Sequence, residues 1–576
     1  MTQHPDRRPA VLTPEPASAV RVALAVASTL AVLAGGGCKG YLSGGVTAGG
    51  PTTGQTAGIV AGGDTPGPST LSRLTAVQYQ NTLRDLFAPV VVPAQTLPAD
   101  ISVDGYDDNA SAQTPSAALI EAYRGAAVAV ATAAMTDPGQ MLGCTPTTRA
   151  DEDACATTFL GAFGRRAFRH PVTNDEQSNL EAFYAAERAA GVDFATALTL
   201  TIEAVLQSPS FLYRVELGAP SGTGAPAAPG LRPLTGFEMA SRLSYLLWNS
   251  MPDEELFSAA ASGGLDTPTG IEAEARRLLA DPRAHDAVAN FHRQWLRFDR
   301  MNNLTKGAAA FPTFTADTAA AMRASAEKFV DGIFFGDGTL TALLTDAHAW
   351  VDDTLAPLYG VAPPGSGATL TLVPLDASQR SGILTDVGLL AGLAHETTDS
   401  PVLRGVFVLD RFMCAPTPPP PANVNTTLPA TADPGAPETT RQRFTSEHEQ
   451  GTCMACHHLI DGVGFGFEHY DALGSWRDTE LGLPVDASGW LPAEGDLGGT
   501  FDGAVDLGRR LAASRSVQSC VASQWLQYAL GVDSTGVDAS QLQPIVDAFV
   551  AGGANMRELV IALVKSDAFR TRLFGP

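Results

Sequence analysis

The run Leu74-Thr-Ala-Val-Gln-Tyr79-Gln-Asn-Thr-Leu83-Arg-Asp-Leu86-Phe87 decides how the rest of the chain is read. Tyr79, Leu83, Leu86 and Phe87 return at the spacing of one helical face behind Thr75, a residue type that caps helices, and Arg84 and Asp85 lie between them. The run predicts an amphipathic helix. The same period recurs at 117–135, 159–168, 177–190, 194–212, 236–248, 271–279, 287–298 and 318–335, whereas β-branched alternation is confined to short stretches near 350–351 and 369–373. The fold class is therefore mainly α and multi-domain, made of amphipathic helical units with a C-x-x-C-H loop region.

The chain has 576 residues, more than one hydrophobic core accommodates, which argues for several domains. Apolar residues make up 45% and charged residues 17%, enough to fold while leaving only one N-terminal run that resembles a membrane-targeting segment. The net charge of −24 repels a phosphate backbone, so nucleic acid is excluded as a partner. No G-x-S-x-G elbow, H-E-x-x-H helix or G-x-x-x-x-G-K-[ST] loop occurs, which lowers the weight of serine hydrolase, zincin and nucleotide-driven chemistry.

Arg7, Arg8 and Arg21 precede an apolar stretch at 22–34, the layout of a secretory signal. It ends in Gly35-Gly-Gly-Cys38, similar to a lipoprotein cleavage site, although Gly35 replaces the usual larger apolar residue. Residues 1–37 are thus read as a lipoprotein-like signal peptide, Cys38 as the lipidation site and 38–70 as a flexible stalk. Plain signal-peptide cleavage nearby is the alternative. Either route predicts an exported protein, periplasmic or held at the outer membrane or cell surface. In that oxidising setting Cys144, Cys155, Cys414 and Cys520 should pair, and of three connectivities Cys144–Cys155 with Cys414–Cys520 is preferred.

Gly/Pro-rich punctuation divides the remainder into helical units at 71–136, 140–217 and 233–365, a unit at 372–475 that carries a Pro-rich linker at 416–438, and a last helical unit at 496–576. Two stretches share one design. Cys155, two helices and Ser208-Pro-Ser-Phe-Leu-Tyr-Arg214 match Cys520, two helices and Ser566-Asp-Ala-Phe-Arg570, which argues for an internal duplication.

Cys453-Met-Ala-Cys456-His457 is C-x-x-C-H, in which two thiols bond to haem vinyl groups and the next imidazole ligates iron. Three other readings stay open: a zinc shell from Cys453, Cys456, His457 or His458 and His469; a thioredoxin-like redox pair; and a local disulfide. For a distal iron ligand the candidates are Met556, which reads better as core, and the histidines, among which His395 comes first, ahead of His448, His458 and His469. Phe465, Phe467, Tyr470 and Trp476 would wall a haem and Arg477 would meet a propionate. Glu468 and Asp471 form a candidate carboxylate pair, and Asp104, Asp107, Asp108 and Asn109 an acidic loop that departs from calcium-loop spacing.

The chain resembles exported multi-domain proteins of planctomycetes and myxobacteria built from successive domains of unknown function, some called planctomycete cytochrome c-like. The resemblance lies in Leu74 to Asp85, Arg165-Arg-Ala-Phe-Arg169, Ser208 to Glu216, Leu234 to Asp253, His292-Arg-Gln-Trp295, Gly382 to Thr385 and Ser400 to Gly405. It continues through Pro418 to Pro421, Cys453 to Asp471 and Gln524 to Gly531. It implies a mainly helical exported protein with one haem c attachment sequence and no established reaction. The resulting expectation is a c-type cytochrome-like protein that transfers electrons through haem c at Cys453 and Cys456, with His457 as the proximal iron ligand. The alternatives are a haem oxidoreductase on an extracellular substrate, or a surface-binding module with a disulfide or zinc site. The expected partners are a membrane, through Cys38, and a redox protein or extracellular polymer.

Overall fold

The computed structural model describes residues 71–219, 231–418, 436–448, 454–492 and 495–573. The signal peptide, Cys38, the stalk, most of the Pro-rich linker and Cys453 lie outside the described residues.

The first element is strand β1 (Ser72–Arg73), followed by helices α1 (Ala76–Phe87) and α2 (Ala117–Ala134). Then come α3 (Arg149–Phe168), α4 (Asn174–Ala189), α5 (Phe194–Leu206), α6 (Pro209–Leu212) and β2 (Tyr213–Arg214). Thr75 closes a capping box with Gln78 at the start of α1, and Tyr79, Leu83, Leu86 and Phe87 are fully buried, as their spacing requires. The helix read at 194–212 is two helices, because Ser208 caps a new turn with Pro209 at its first position. The helix read from 159 begins ten residues earlier, where Thr148 and Asp151 form a capping box.

The second half opens with β3 (Leu231–Pro233), α7 (Gly236–Trp248), α8 (Glu254–Ala261), α9 (Pro268–Leu279), α10 (Arg283–Trp295) and α11 (Ala316–Phe335). It continues with β4 (His348–Val351), β5 (Thr371–Pro374), α12 (Pro401–Phe412), α13 (Thr440–His448) and α14 (Met454–Gly464). It closes with β6 (Ser488–Leu491), β7 (Gly499–Asp502), α15 (Gly503–Ala513), α16 (Arg515–Leu530), α17 (Ala539–Ala551), α18 (Met556–Lys565), α19 (Asp567–Arg570) and β8 (Thr571–Leu573).

The architecture is mainly α, and its two-stranded ribbons are accessory. The C-x-x-C-H loop region needs correction, because Met454–Gly464 is helical, so the second cysteine and the histidine sit in the first turn of α14. The bonded cysteines are others: Cys144 joins Cys155 and Cys414 joins Cys520.

The duplication extends further than the cysteine-to-serine stretch. In one copy β1 pairs antiparallel with β2, and the Leu74 amide donates to the Leu212 carbonyl at 2.9 Å. In the other β3 pairs antiparallel with β8, and the Leu234 amide donates to the Arg570 carbonyl at 2.9 Å. Thr235 closes a capping box with Glu238 on α7 as Thr75 does on α1. Ser566 caps α19 as Ser208 caps α6, and Phe569 and Phe211 are both fully buried. The long helix of each copy ends on a left-handed residue, Arg169 at φ 65° and Gly531 at φ 62°.

Two hydrophobic cores result. One is built from α1 to α6 and closed by Tyr245, Met251 and Phe257; the other runs from Leu234 to Phe569 and takes in Tyr106. Between α7 and α16 the second copy accommodates a long insertion that includes α12 to α14. That insertion carries the chemistry-bearing side chains.

Candidate metal centre

Helices α12 and α14 approach with almost no side chain between them. A Cβ on Gly405 would lie 2.1 Å from the Ile460 carbonyl oxygen, and one on Gly464 would lie 2.0 Å from the Pro401 carbonyl oxygen. Small residues at these two points let the backbones touch, and this contact fixes the rotation of α14. On α14 the next helical turn brings Asp461 beneath His457, since residues four apart share a face. Asp461 is buried, while His457 remains partly exposed.

Helix α13 supplies the third group. Thr439 and Gln442 exchange hydrogen bonds at its start, and Thr440 donates to Glu480 from its amide at 2.8 Å and its hydroxyl at 2.7 Å. Phe444 is buried with its ring 5.0 Å from that of His448, which seats the imidazole at the other end of the helix.

His448 Nδ1 lies 2.6 Å from one Asp461 oxygen and His457 Nδ1 lies 3.2 Å from the other. The two imidazoles stack with centroids 3.5 Å apart and planes tilted by 36°. One donor atom from each of His448, His457 and Asp461 falls within 4.8 Å of the others. Side-chain exposures of 17% for His448 and 22% for His457 leave the cluster reachable from solvent. Two imidazoles and a carboxylate with their donor atoms this close together suit a divalent transition metal.

This geometry overturns the haem reading of Cys453, Cys456 and His457. Iron in a haem receives four equatorial bonds from the macrocycle and at most one axial protein ligand on each face. An ion reached by His457 here is also within reach of His448 and Asp461, whose donor atoms lie within 4.8 Å of its own, so the histidine belongs to a protein donor set. The pentapeptide stands in the sequence, but the structure uses its histidine in a three-residue cluster. Cys456 is an exposed free thiol outside that cluster, and four other cysteines are consumed as disulfides. The cytochrome assignment, haem c as cofactor and electron transfer through it are withdrawn on these grounds.

The remaining candidates disperse. His395 is exposed, its carbonyl accepts from Lys306 Nζ, and it is not one of the cluster's donors. Met556 is fully buried in the core. His458 packs against Trp490 with centroids 4.4 Å apart, and His469 stacks on Trp476 at 4.2 Å while its Nδ1 donates to the Arg477 carbonyl. Of the described residues in the zinc shell read from the motif, only His457 joins the cluster.

Phe465, Phe467 and Tyr470 are buried. Arg477 is held by Asp399 at 2.9 Å, with Glu468 and Glu480 at 3.7 and 3.4 Å, so it has carboxylate partners of its own. Glu468 and Asp471 are not a working pair. Burial, reinforced by the Asp399 carboxylate, pushes the Glu468 carboxyl well above its ordinary range, whereas Asp471 accepts the Leu473 and Ser475 amides in a turn. In the acidic loop Asp104 accepts the Ser534 amide and, through its carbonyl, the Arg411 guanidinium, a tether between the two ends of the chain.

Asp461 is absent from the ligands that the motif names, although its position four residues after His457 on a helix is the signal that points to it. His448 is legible in the sequence as a candidate ligand close to the motif, but not as a partner of Asp461. Helix rotation decides whether such residues converge, and that rotation is set by the backbone contacts at Gly405 and Gly464.

Five family models match in chain order. Residues 72–136 match a protein of unknown function (DUF1587), 155–216 match DUF1595 and 234–361 match DUF1592. Residues 380–480, which hold the cluster, match DUF1588, and 497–569 match DUF1585. No curated protein and no solved structure matches the chain.

Proposed function

Because the chain belongs to the planctomycete cytochrome c-like multi-domain proteins built of these five domains of unknown function, we propose a role that all five share as one scaffold: an exported metal-binding module. The single observation that carries the reading is the convergence of His448, His457 and Asp461. Zinc is the ion of choice, since it takes imidazole and carboxylate together and needs no redox partner.

Export and a lipid anchor at Cys38 complete the proposal. Two disulfides are useful only where thiols oxidise, which agrees with a secretory signal at 1–37. Beside the metal centre, Thr439, Arg441, Gln442, Thr445, Ser446 and Asp486 line an open groove of about 540 Å³ along α13. Hydroxyl, amide and guanidinium groups there favour a polar extracellular polymer as partner.

Elemental analysis of the purified exported protein tests the reading. One zinc per chain in the wild type, and its loss in a His448→Ala, His457→Ala variant with an unchanged helical spectrum, is the expected result. Wild-type protein without bound metal after dialysis against zinc would overturn it.

A further inference from the structure

A metal ion held by protein for structure alone is normally enclosed by four protein ligands, whereas an ion that must meet an outside molecule keeps a position open. Among the described residues the cluster offers three donors and no fourth. Cys456, one residue before His457, has an exposed thiol and is not among them. Both imidazoles keep some solvent contact, so a ligand from solvent can reach the ion.

Resting on the metal-binding reading, we propose that the ion at His448, His457 and Asp461 is coordinatively open and binds small anionic oxygen or nitrogen donors, of the carboxylate or azide class, in place of water. The charge left on the centre is the reason for anion selectivity. One carboxylate neutralises half the charge of a divalent ion and the two imidazoles are neutral ligands, so the centre keeps a net positive charge directed at its open side. The ligand exchange is balanced: an anion enters, one water leaves, and no bond to the protein changes.

Cobalt(II) substitution separates the possible results, because its visible bands report coordination number and its near-ultraviolet region reports thiolate ligation. The full-length exported chain is loaded with Co²⁺, then titrated with sodium azide and, separately, with acetate. The expected result is one bound Co²⁺ without a thiolate charge-transfer band, and a saturable shift of the visible bands on adding azide. A Co²⁺ spectrum unaffected by azide would overturn the open position. So would a thiolate band that disappears in Cys456→Ser or in a Cys453→Ser, Cys456→Ser chain, because sulfur would then fill the fourth site. Absence of stoichiometric Co²⁺ binding would instead sink the metal-binding reading beneath it, and His448→Ala, His457→Ala supplies that baseline.

Discussion

Gly405 of α12 stands where any side chain would strike the Ile460 carbonyl of α14, with 2.1 Å left for a Cβ. The neighbour is backbone in the middle of a helix and cannot swing aside. Gly405→Ala should therefore destabilise the fold by about 1–3 kcal/mol through overpacking. The measurement is denaturant unfolding followed by circular dichroism. Stability within error of the wild type would show that α12 and α14 are not pressed together as described.

The two disulfides should differ in weight. Cys414–Cys520 closes a loop with a sequence separation of 106, Cys144–Cys155 one of 11. In the chain-entropy account the first restrains the unfolded chain by roughly 4–5 kcal/mol and the second by roughly 3 kcal/mol. Paired serine variants at 414 and 520 should melt well below paired variants at 144 and 155. Equal losses would contradict a loop-length origin.

Much of this frame is legible in the residues themselves. Thr75 and Gln78, Ser208 and Ser566, and the cysteine spacing all act within a few positions or through simple pairing, and local rules find them. The metal centre is different. His448 and His457 belong to separate helices, and their stacking depends on the Gly405 contact and on Glu480 holding α13, neither of which has a local signature. The five-residue C-x-x-C-H pattern stands out because its residues are contiguous. Contiguity names candidate donors but does not say which distant groups will face them.

The duplicated caps offer a paired test. Ser208 and Ser566 each accept an amide three residues ahead, Phe211 and Phe569 respectively, at the same 3.3 Å. If the copies are equivalent, Ser208→Ala and Ser566→Ala should each cost about 1 kcal/mol. The sites sit in different cores and share no partner, so the double variant should lose the sum. Urea unfolding of the three variants checks both statements.

His292 should make the fold acid-sensitive. It is enclosed by Phe291, Trp295, Phe334 and Trp525, and burial pulls its imidazole down to about 4 despite a hydrogen bond to the Val288 carbonyl. The unfolded chain binds a proton near pH 6.5 that the folded chain refuses until about 4. The stabilisation is thus complete above pH 6.5 and is lost as pH falls through that window, by roughly 3 kcal/mol for such a shift. Unfolding free energies measured from pH 7 to pH 4 should fall more steeply in the wild type than in His292→Phe. Parallel profiles would assign the acid sensitivity to other groups.

Glu480 should govern metal affinity without touching the metal. Its carboxylate receives both the amide and the hydroxyl of Thr440, at the start of the helix that ends in His448. Residues that orient a ligand from behind typically contribute 10–100-fold in affinity. Glu480→Ala should therefore weaken Zn²⁺ binding by about 10-fold or more, read by competition with a chromophoric chelator, while the ligands His448, His457 and Asp461 remain in place. Glu480→Gln keeps an acceptor oxygen for Thr440 and should recover most of that loss. If both variants bind Zn²⁺ as the wild type does, Phe444 packing and the Arg441 contacts position α13 without Glu480, and the carboxylate serves only to balance Arg477.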